Sequence, residues 1–368
     1  MKKTLEFLKQ EIVLCISLLL AIISCFLVPP TMKTLGHIDF RTLALLLCLM
    51  IVVEGLNRLG VFFSLAKKLL VKIKTLRGIA ITLTLLCFFA SMLITNDVAL
   101  ITFVPFTIVT LSLTGKKNAL IPIVVLETIA ANLGSMLTPI GNPQNLYLFS
   151  NYEMSILSFC NAIFPYAILS LFLLLLSCFL LKPEKLTLEK KESSAAFQKT
   201  HCFFYAVLFL LSMLTVFRVL PYPFVLLICV IFVLFLDRKI FKHLDYSLLL
   251  TFVFLFIFIG NLSEIPSVST FLKEILFGKE VLLSVLLSQI FSNVPTAILL
   301  SGFTNNGIAL LIGTNLGGLG TLIASMASLI SFKFIVKEKV GTAKYLLYFT
   351  ILNIVFLILN LLLWFIIK

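Results

Sequence analysis

Hydrophobic positions in this chain fall in long blocks, set apart by short polar, mostly basic loops. Apolar runs near 12–28 and 40–57 are each long enough to cross a bilayer, for which about 20 helical residues suffice. The stretch 58–77 then carries Arg58, Lys67, Lys68, Lys72, Lys74 and Arg77. Its middle, 61–73, sets apolar residues at helical spacing with lysines between them, the pattern of a helix lying along the membrane surface. Two apolar arms, 78–94 and 98–113, are hinged on Thr95-Asn96-Asp97 and closed by Lys116-Lys117. They form either a re-entrant hairpin or two crossings, and the parity of the chain is the same in both cases. A span over 119–150 and a return over 155–181 complete the first half. The only long polar stretch, 182–201, reads as a solvated linker.

The second half has spans near 202–219, 222–237 and 247–263, an amphipathic run over 265–277 and a hairpin tipped by Ser292-Asn293-Val294-Pro295. Asp39-Phe40 and Asp245-Tyr246 open corresponding spans, and Asn132-Leu133-Gly134 returns 183 positions later as Asn315-Leu316-Gly317. Both copies interrupt apolar runs with Asn, Gly and Thr, which free backbone groups where the bilayer offers no water. Paired breaks in two halves point to a transporter's binding site. The predicted fold is an all-α polytopic membrane protein of inverted repeats, with nine transmembrane helices plus two polar-tipped re-entrant hairpins. Its first half, 1–181, holds a hairpin over 78–114 and a broken helix over 119–150. A cytoplasmic linker, 182–201, leads to the second half, 202–368, with a hairpin over 280–304 and a broken helix over 307–336. The extra span at 202–219 turns the second repeat over. One passage is tight: 36 residues separate Asn96 from Asn132, but only 22 separate Asn293 from Asn315.

Composition agrees with the pattern. With 61% hydrophobic and 12% charged residues and a mean hydropathy of +1.16, the chain is not a soluble domain, whose charged fraction is about a quarter. The net charge of +13 would suit nucleic acid, but the basic residues occupy short loops. With the N-terminus in the cytoplasm, 23 of the 29 Lys and Arg fall on that side, as the positive-inside rule requires. A bacterial plasma membrane is the expected location and nucleic acid is not a partner. The segment after Lys2, Lys3 and Lys9 lacks a small-residue cleavage site and reads as a retained span. The eight cysteines lack metal or disulfide spacing, and His37, His201 and His243 fall at span ends. No intramembrane His, acidic metal pair or Ser/His partnership suggests an enzyme.

The ionisable residues within or beside the breaks are Asp97 and Glu127, with Glu54 nearer a span end and Arg58 four residues on. A charge buried in hydrocarbon costs several kcal/mol without a partner, so such acids default to ion or proton pathways. Asp97 and Glu127 are the coupling candidates, although Asp97 also suits a helix cap and Glu127 a helix–helix hydrogen bond. Neutral oxygens and donors come from Thr95, Asn96, Asn132, Thr138, Asn142 and Asn145 in one half, and from Ser292, Asn293, Thr296, Thr314, Asn315 and Thr321 in the other. Half-helix N-termini hold oxyanions and unwound carbonyls hold Na+. No cofactor is expected, only a coupling ion, Na+ or H+.

At these residues the chain resembles the ion transporter superfamily, which includes arsenite permeases, citrate carriers and divalent anion/Na+ symporters. Thr95-Asn96-Asp97 and Ser292-Asn293-Val294-Pro295-Thr296 look like its paired tip motifs, and Thr138-Pro139-Ile140-Gly141-Asn142-Pro143-Gln144-Asn145 looks like its helix-break motif. The resemblance, over about 39–335, implies a dimeric secondary carrier that moves a transport domain against a scaffold. The Ser-Asn-Thr pair of the Na+-coupled dicarboxylate carriers is reproduced at neither tip, so their Na+ sites do not carry over whole. The expected substrate is a small anion, citrate-like or an inorganic oxyanion; arsenite efflux and Na+/H+ exchange are the alternatives.

Overall fold

The computed structural model describes residues 11–70, 73–185 and 199–368. The lysines of the extreme N-terminus, Lys72 and most of the linker lie outside the described residues. Those described form eighteen α-helices and no strand. Seven helices are long and apolar enough to cross a membrane, and five shorter apolar helices accompany them. The seven include both arms of the first hairpin, Leu76–Ile94 and Asn96–Leu113; of the nine expected crossings, three are short helices, Ile12–Leu27, 200–216 and Tyr222–Leu236, and the two broken ones appear as halves.

Helix α1 (Ile12–Leu27) is followed by a short turn of helix, α2 (Met32–Gly36), and by α3 (Phe40–Arg58). Asp39 caps α3 by accepting from Thr42 N at 3.0 Å. In the second half α10 (Lys199–Val216), α11 (Tyr222–Leu236) and α12 (Tyr246–Ser263) follow in turn, and Asp245 caps α12 through Leu248 N at 2.9 Å. The first spans of the two repeats exchange partners: α1 packs along α12, and α3 packs against α10 and α11. Small residues permit this. Gly55 lies against the Tyr205 ring and Gly260 against His37, so a Cβ at either would fall within 2.5 Å of ring atoms.

The amphipathic runs form short helices, α4 (Val61–Leu70) and α13 (Pro266–Leu276). The first hairpin consists of α5 (Leu76–Ile94) and α6 (Asn96–Leu113), and the first broken helix of α7 (Leu120–Ser135) and α8 (Pro143–Asn151). Their counterparts are α14 (Glu280–Phe291) with α15 (Asn293–Ser301), and α16 (Gly307–Gly317) with α17 (Met326–Glu338). Closing spans α9 (Ile156–Phe179) and α18 (Thr342–Ile367) complete the described helices. Helix α7 is buried almost throughout, enclosed by α5, α6, α9, α17 and α18. A stretch of that polarity, carrying Glu127, Thr128 and Asn132, is tolerated because it faces protein.

The hairpins differ in length. Arms of 19 and 18 residues in the first, against 12 and 9 in the second, correspond to about 28 Å and about 18 Å at 1.5 Å per residue. The tight passage from Asn293 to Asn315 is met by nine helical residues, a turn over 302–306 and a return along α16.

Candidate substrate and ion site

Both hairpins turn on a single non-glycine residue with positive φ. Thr95 has φ 68° and ψ 153°, and Ser292 has φ 71° and ψ 156°. That region is nearly confined to glycine and costs about 1–3 kcal/mol, so it persists only where surrounding contacts over-determine it. Its recurrence at both tips marks a shared device. Asn96 and Asn293 follow as the first residues of α6 and α15.

Each tip meets its own broken helix. Asn96 N donates to Gly141 O at 3.1 Å, and its Nδ2 donates to Asn132 Oδ1 at 3.1 Å. Thr138 Oγ1 donates to Met92 O at 2.5 Å, and Thr321 Oγ1 makes the equivalent bond to Gln289 O at 3.2 Å. Since α8 continues nine residues beyond the break, the first tip ends inside the protein, about 13 Å short of that helix's end. The tip is thus enclosed by protein, although each arm is long enough to cross a membrane.

The two breaks also meet each other, and the contacts are matched. Asn142, which caps α8, donates from Nδ2 to Asn315 Oδ1 at 3.1 Å. Ser325, which lies 183 positions after Asn142 at the head of α17, donates from Oγ to Asn132 Oδ1 at 3.0 Å. Each half-helix head is thus tied to the asparagine of the other repeat. Asn315 Nδ2 adds a bond to Asn145 Oδ1 at 2.7 Å.

The freed carbonyls are held by amides. Asn145 Nδ2 donates to Ser135, Met136 and Thr138 carbonyls at 3.1–3.3 Å, and Gln289 Nε2 donates to Gly317 and Leu319 carbonyls at 3.1 and 3.0 Å. Asn145 therefore braces the break. Thr296 Oγ1 returns to Ser292 O at 2.8 Å and Thr314 Oγ1 to Leu310 O at 2.7 Å, both ordinary turns of helix, while Thr321 is exposed. Asn293 is buried with its Nδ2 beside Gly318. Sequence reading passed over Ser135, Gln289 and Ser325. The 183-residue offset sets Ser325 opposite Asn142, and the change from asparagine to serine hides the shared role; Gln289 stands opposite Met92 and has no sequence signal.

Two groups in the network keep atoms without a protein partner among the described residues: Asp97 Oδ1 and Asn132 Nδ2. Glu127 is fully buried five residues before Asn132 and accepts from Thr107 Oγ1 at 2.5 Å. Its side-chain hydrogen bond goes to α6 rather than to either break. The site lies near one end of the first spans. Thr102, on α6, donates to Asn57 Oδ1 at 3.0 Å near the C-terminal end of α3, and Ser292 and Pro295 share a crevice with Glu11, Leu14 and Thr251 from the first turns of α1 and α12.

Buried helix breaks that face each other at a repeat interface, within an all-α polytopic chain, define a membrane transporter. Residues 7–306 match the family described as citrate transporter, and the chain belongs to that family. It is 34% identical over 306 residues to an uncharacterized transporter of Methanocaldococcus jannaschii, covering 82% of this chain and 83% of that one. It is 31% identical over 302 residues to the inner membrane protein YbiR of Escherichia coli, covering 80% of each. A shorter match, 33% over 131 residues, covers 35% of this chain and 26% of the silicon efflux transporter LSI3 of rice, Oryza sativa.

Proposed function

We propose that the chain is a secondary active transporter of a small citrate-like or inorganic oxyanion, coupled to H+ or Na+, working by alternating access. The observation that carries this reading is the matched cross-repeat pairing, Asn142 with Asn315 and Ser325 with Asn132. It brings the N-terminal ends of α8 and α17 to one place, with those of α6 and α15 at the adjoining tips. Helix N-termini carry partial positive charge and spare N–H groups, which suit an anion. The C-terminal ends of α5, α7, α14 and α16 meet them there and suit a cation. Asp97 opposes a bare anion: two unit charges about 4 Å apart at an effective dielectric near 20 repel by about 4 kcal/mol. A proton or cation entering with the anion removes that cost.

The crevice at Ser292 lies beside the first turns of α1 and α12, the cytoplasmic ends under the positive-inside assignment. A homodimer in a bacterial plasma membrane is the working assembly. The second reading is efflux of a neutral oxyacid such as arsenous or silicic acid, favoured by Asp97, whose Oδ1 has no partner among the described residues, and by the likeness to a silicon efflux transporter. Purified protein in sealed vesicles, offered citrate, other dicarboxylates, arsenite and silicate under imposed pH and Na+ gradients, decides between them. Accumulation of one anion that follows one gradient supports the first reading; failure to move any solute overturns both.

A further inference from the structure

A seam of buried hydroxyls runs from the breaks into the closing helices and ends on Glu127. Ser325 bonds Asn132 at its head. Ser328 and Ser331, one turn and two turns along α17, face α7, where Thr128 Oγ1 donates to Ser331 Oγ at 2.7 Å. Tyr345 of α18 stands beside Thr128 and Glu127. Ser328, Ser331, Thr128, Tyr345 and Glu127 each have 0% exposure. Along this seam Asn132 Nδ2, Ser328 Oγ and Glu127 Oε2 have no protein partner among the described residues. Native proteins rarely leave such atoms unpaired, and three among neighbouring buried hydroxyls mark a path for water or ions.

We infer that Glu127 is a proton-binding site, reached from the substrate site along this seam and distinct from the tip carboxylate Asp97. The titratable groups facing it are Cys87 from α5, Cys178 from α9 and Tyr345 from α18; α6 offers Thr107 and α17 offers Ser328 and Ser331. All are neutral, and the one bond Glu127 makes is accepted from a hydroxyl. An isolated carboxylate there would cost several kcal/mol, so the carboxyl holds a proton while the site is closed to water. The seam has no copy in the other repeat, where Leu310 and Leu311 stand 183 positions after Glu127 and Thr128.

This inference rests on the transporter reading for its coupling role, and the test separates the two. Infrared spectra of the purified full chain in vesicles at neutral pH should show the carbonyl stretch of a protonated buried carboxylic acid. Glu127→Gln should remove that band, while Asp97→Asn keeps it. Where the wild type moves citrate, Glu127→Gln should retain citrate exchange but lose at least tenfold in accumulation driven by a pH gradient. A band unchanged in Glu127→Gln, or accumulation with the wild-type pH profile, overturns the inference. Loss of the band in a protein that moves none of the tested solutes leaves the proton site standing and defeats the transport reading.

Discussion

At the scale of single residues, Asn132 and Asn315 do the same work in the two repeats. Asn132 Oδ1 accepts from Asn96 and Ser325, while Asn315 accepts from Asn142 and donates to Asn145. Asn→Leu at either position strands two or more buried polar groups, at about 1–3 kcal/mol each. Both variants should insert and remain folded but lose transport, and the two should act alike. Wild-type uptake rates in either one, measured beside a size-exclusion profile, would make the break a packing feature. Asp97 offers the second test at this scale. Its backbone N–H already donates to Asn96 Oδ1 at 3.0 Å, so the carboxylate is not needed to start α6. Asp97→Asn should preserve exchange of the anion and abolish its accumulation against a gradient. Accumulation with unchanged pH and Na+ dependence would place coupling elsewhere.

At the scale of elements, close packing of hairpin on broken helix depends on two glycines that occupy matching places. A Cβ at Gly134 would lie 2.1 Å from Phe88 O, and one at Gly317 would lie 2.6 Å from Ser288 Oγ. The first obstacle is backbone and the second is a side chain. Overpacking costs about 1–3 kcal/mol where neighbours must shift. Gly134→Ala should therefore lower the melting temperature of the purified protein more than Gly317→Ala, and Ser288→Gly should restore stability only to the latter. Equal loss in both, or rescue of neither, would show that the arms are free to separate. Most elements were legible in advance because apolar length and basic loops encode spans directly: α3, α9, α12 and both amphipathic helices fall where the pattern sets them. The tips and breaks were legible as Asn-, Gly- and Thr-bearing interruptions. What was hidden is pairing across the repeats. Ser325 stands where the first repeat has Asn142, so the shared role survives a change of residue type, and the seam to Glu127 depends on which faces of α7 and α17 meet. Neither is encoded at short range.

At the scale of the whole molecule, the partner exchange of α1 with α12 and of α3 with α11 joins the first spans of the two repeats, while the hairpins and broken helices pack on one another. The bond from Thr102 to Asn57 is one of the links between the two groups. Which membrane face the crevice at Ser292 lies toward follows from orientation, which rests on the charge distribution. The broken helix supplies the measurement, because Asn118 precedes its first half, Asn151 ends its second, and both are exposed. The helix between them, about 24 Å and about 13 Å with the unwound segment between, is long enough to bring them to opposite faces of a bilayer. Lys116 and Lys117 adjoin Asn118, so the positive-inside rule predicts that this end is cytoplasmic. In a background with all eight cysteines replaced, Asn151→Cys in intact cells should react with a membrane-impermeant maleimide, whereas Asn118→Cys should react only after the cells are opened. Labelling of both from outside would show that the helix does not cross. Labelling of Asn118→Cys alone would invert the chain, and the crevice at Ser292 would then lie toward the exterior.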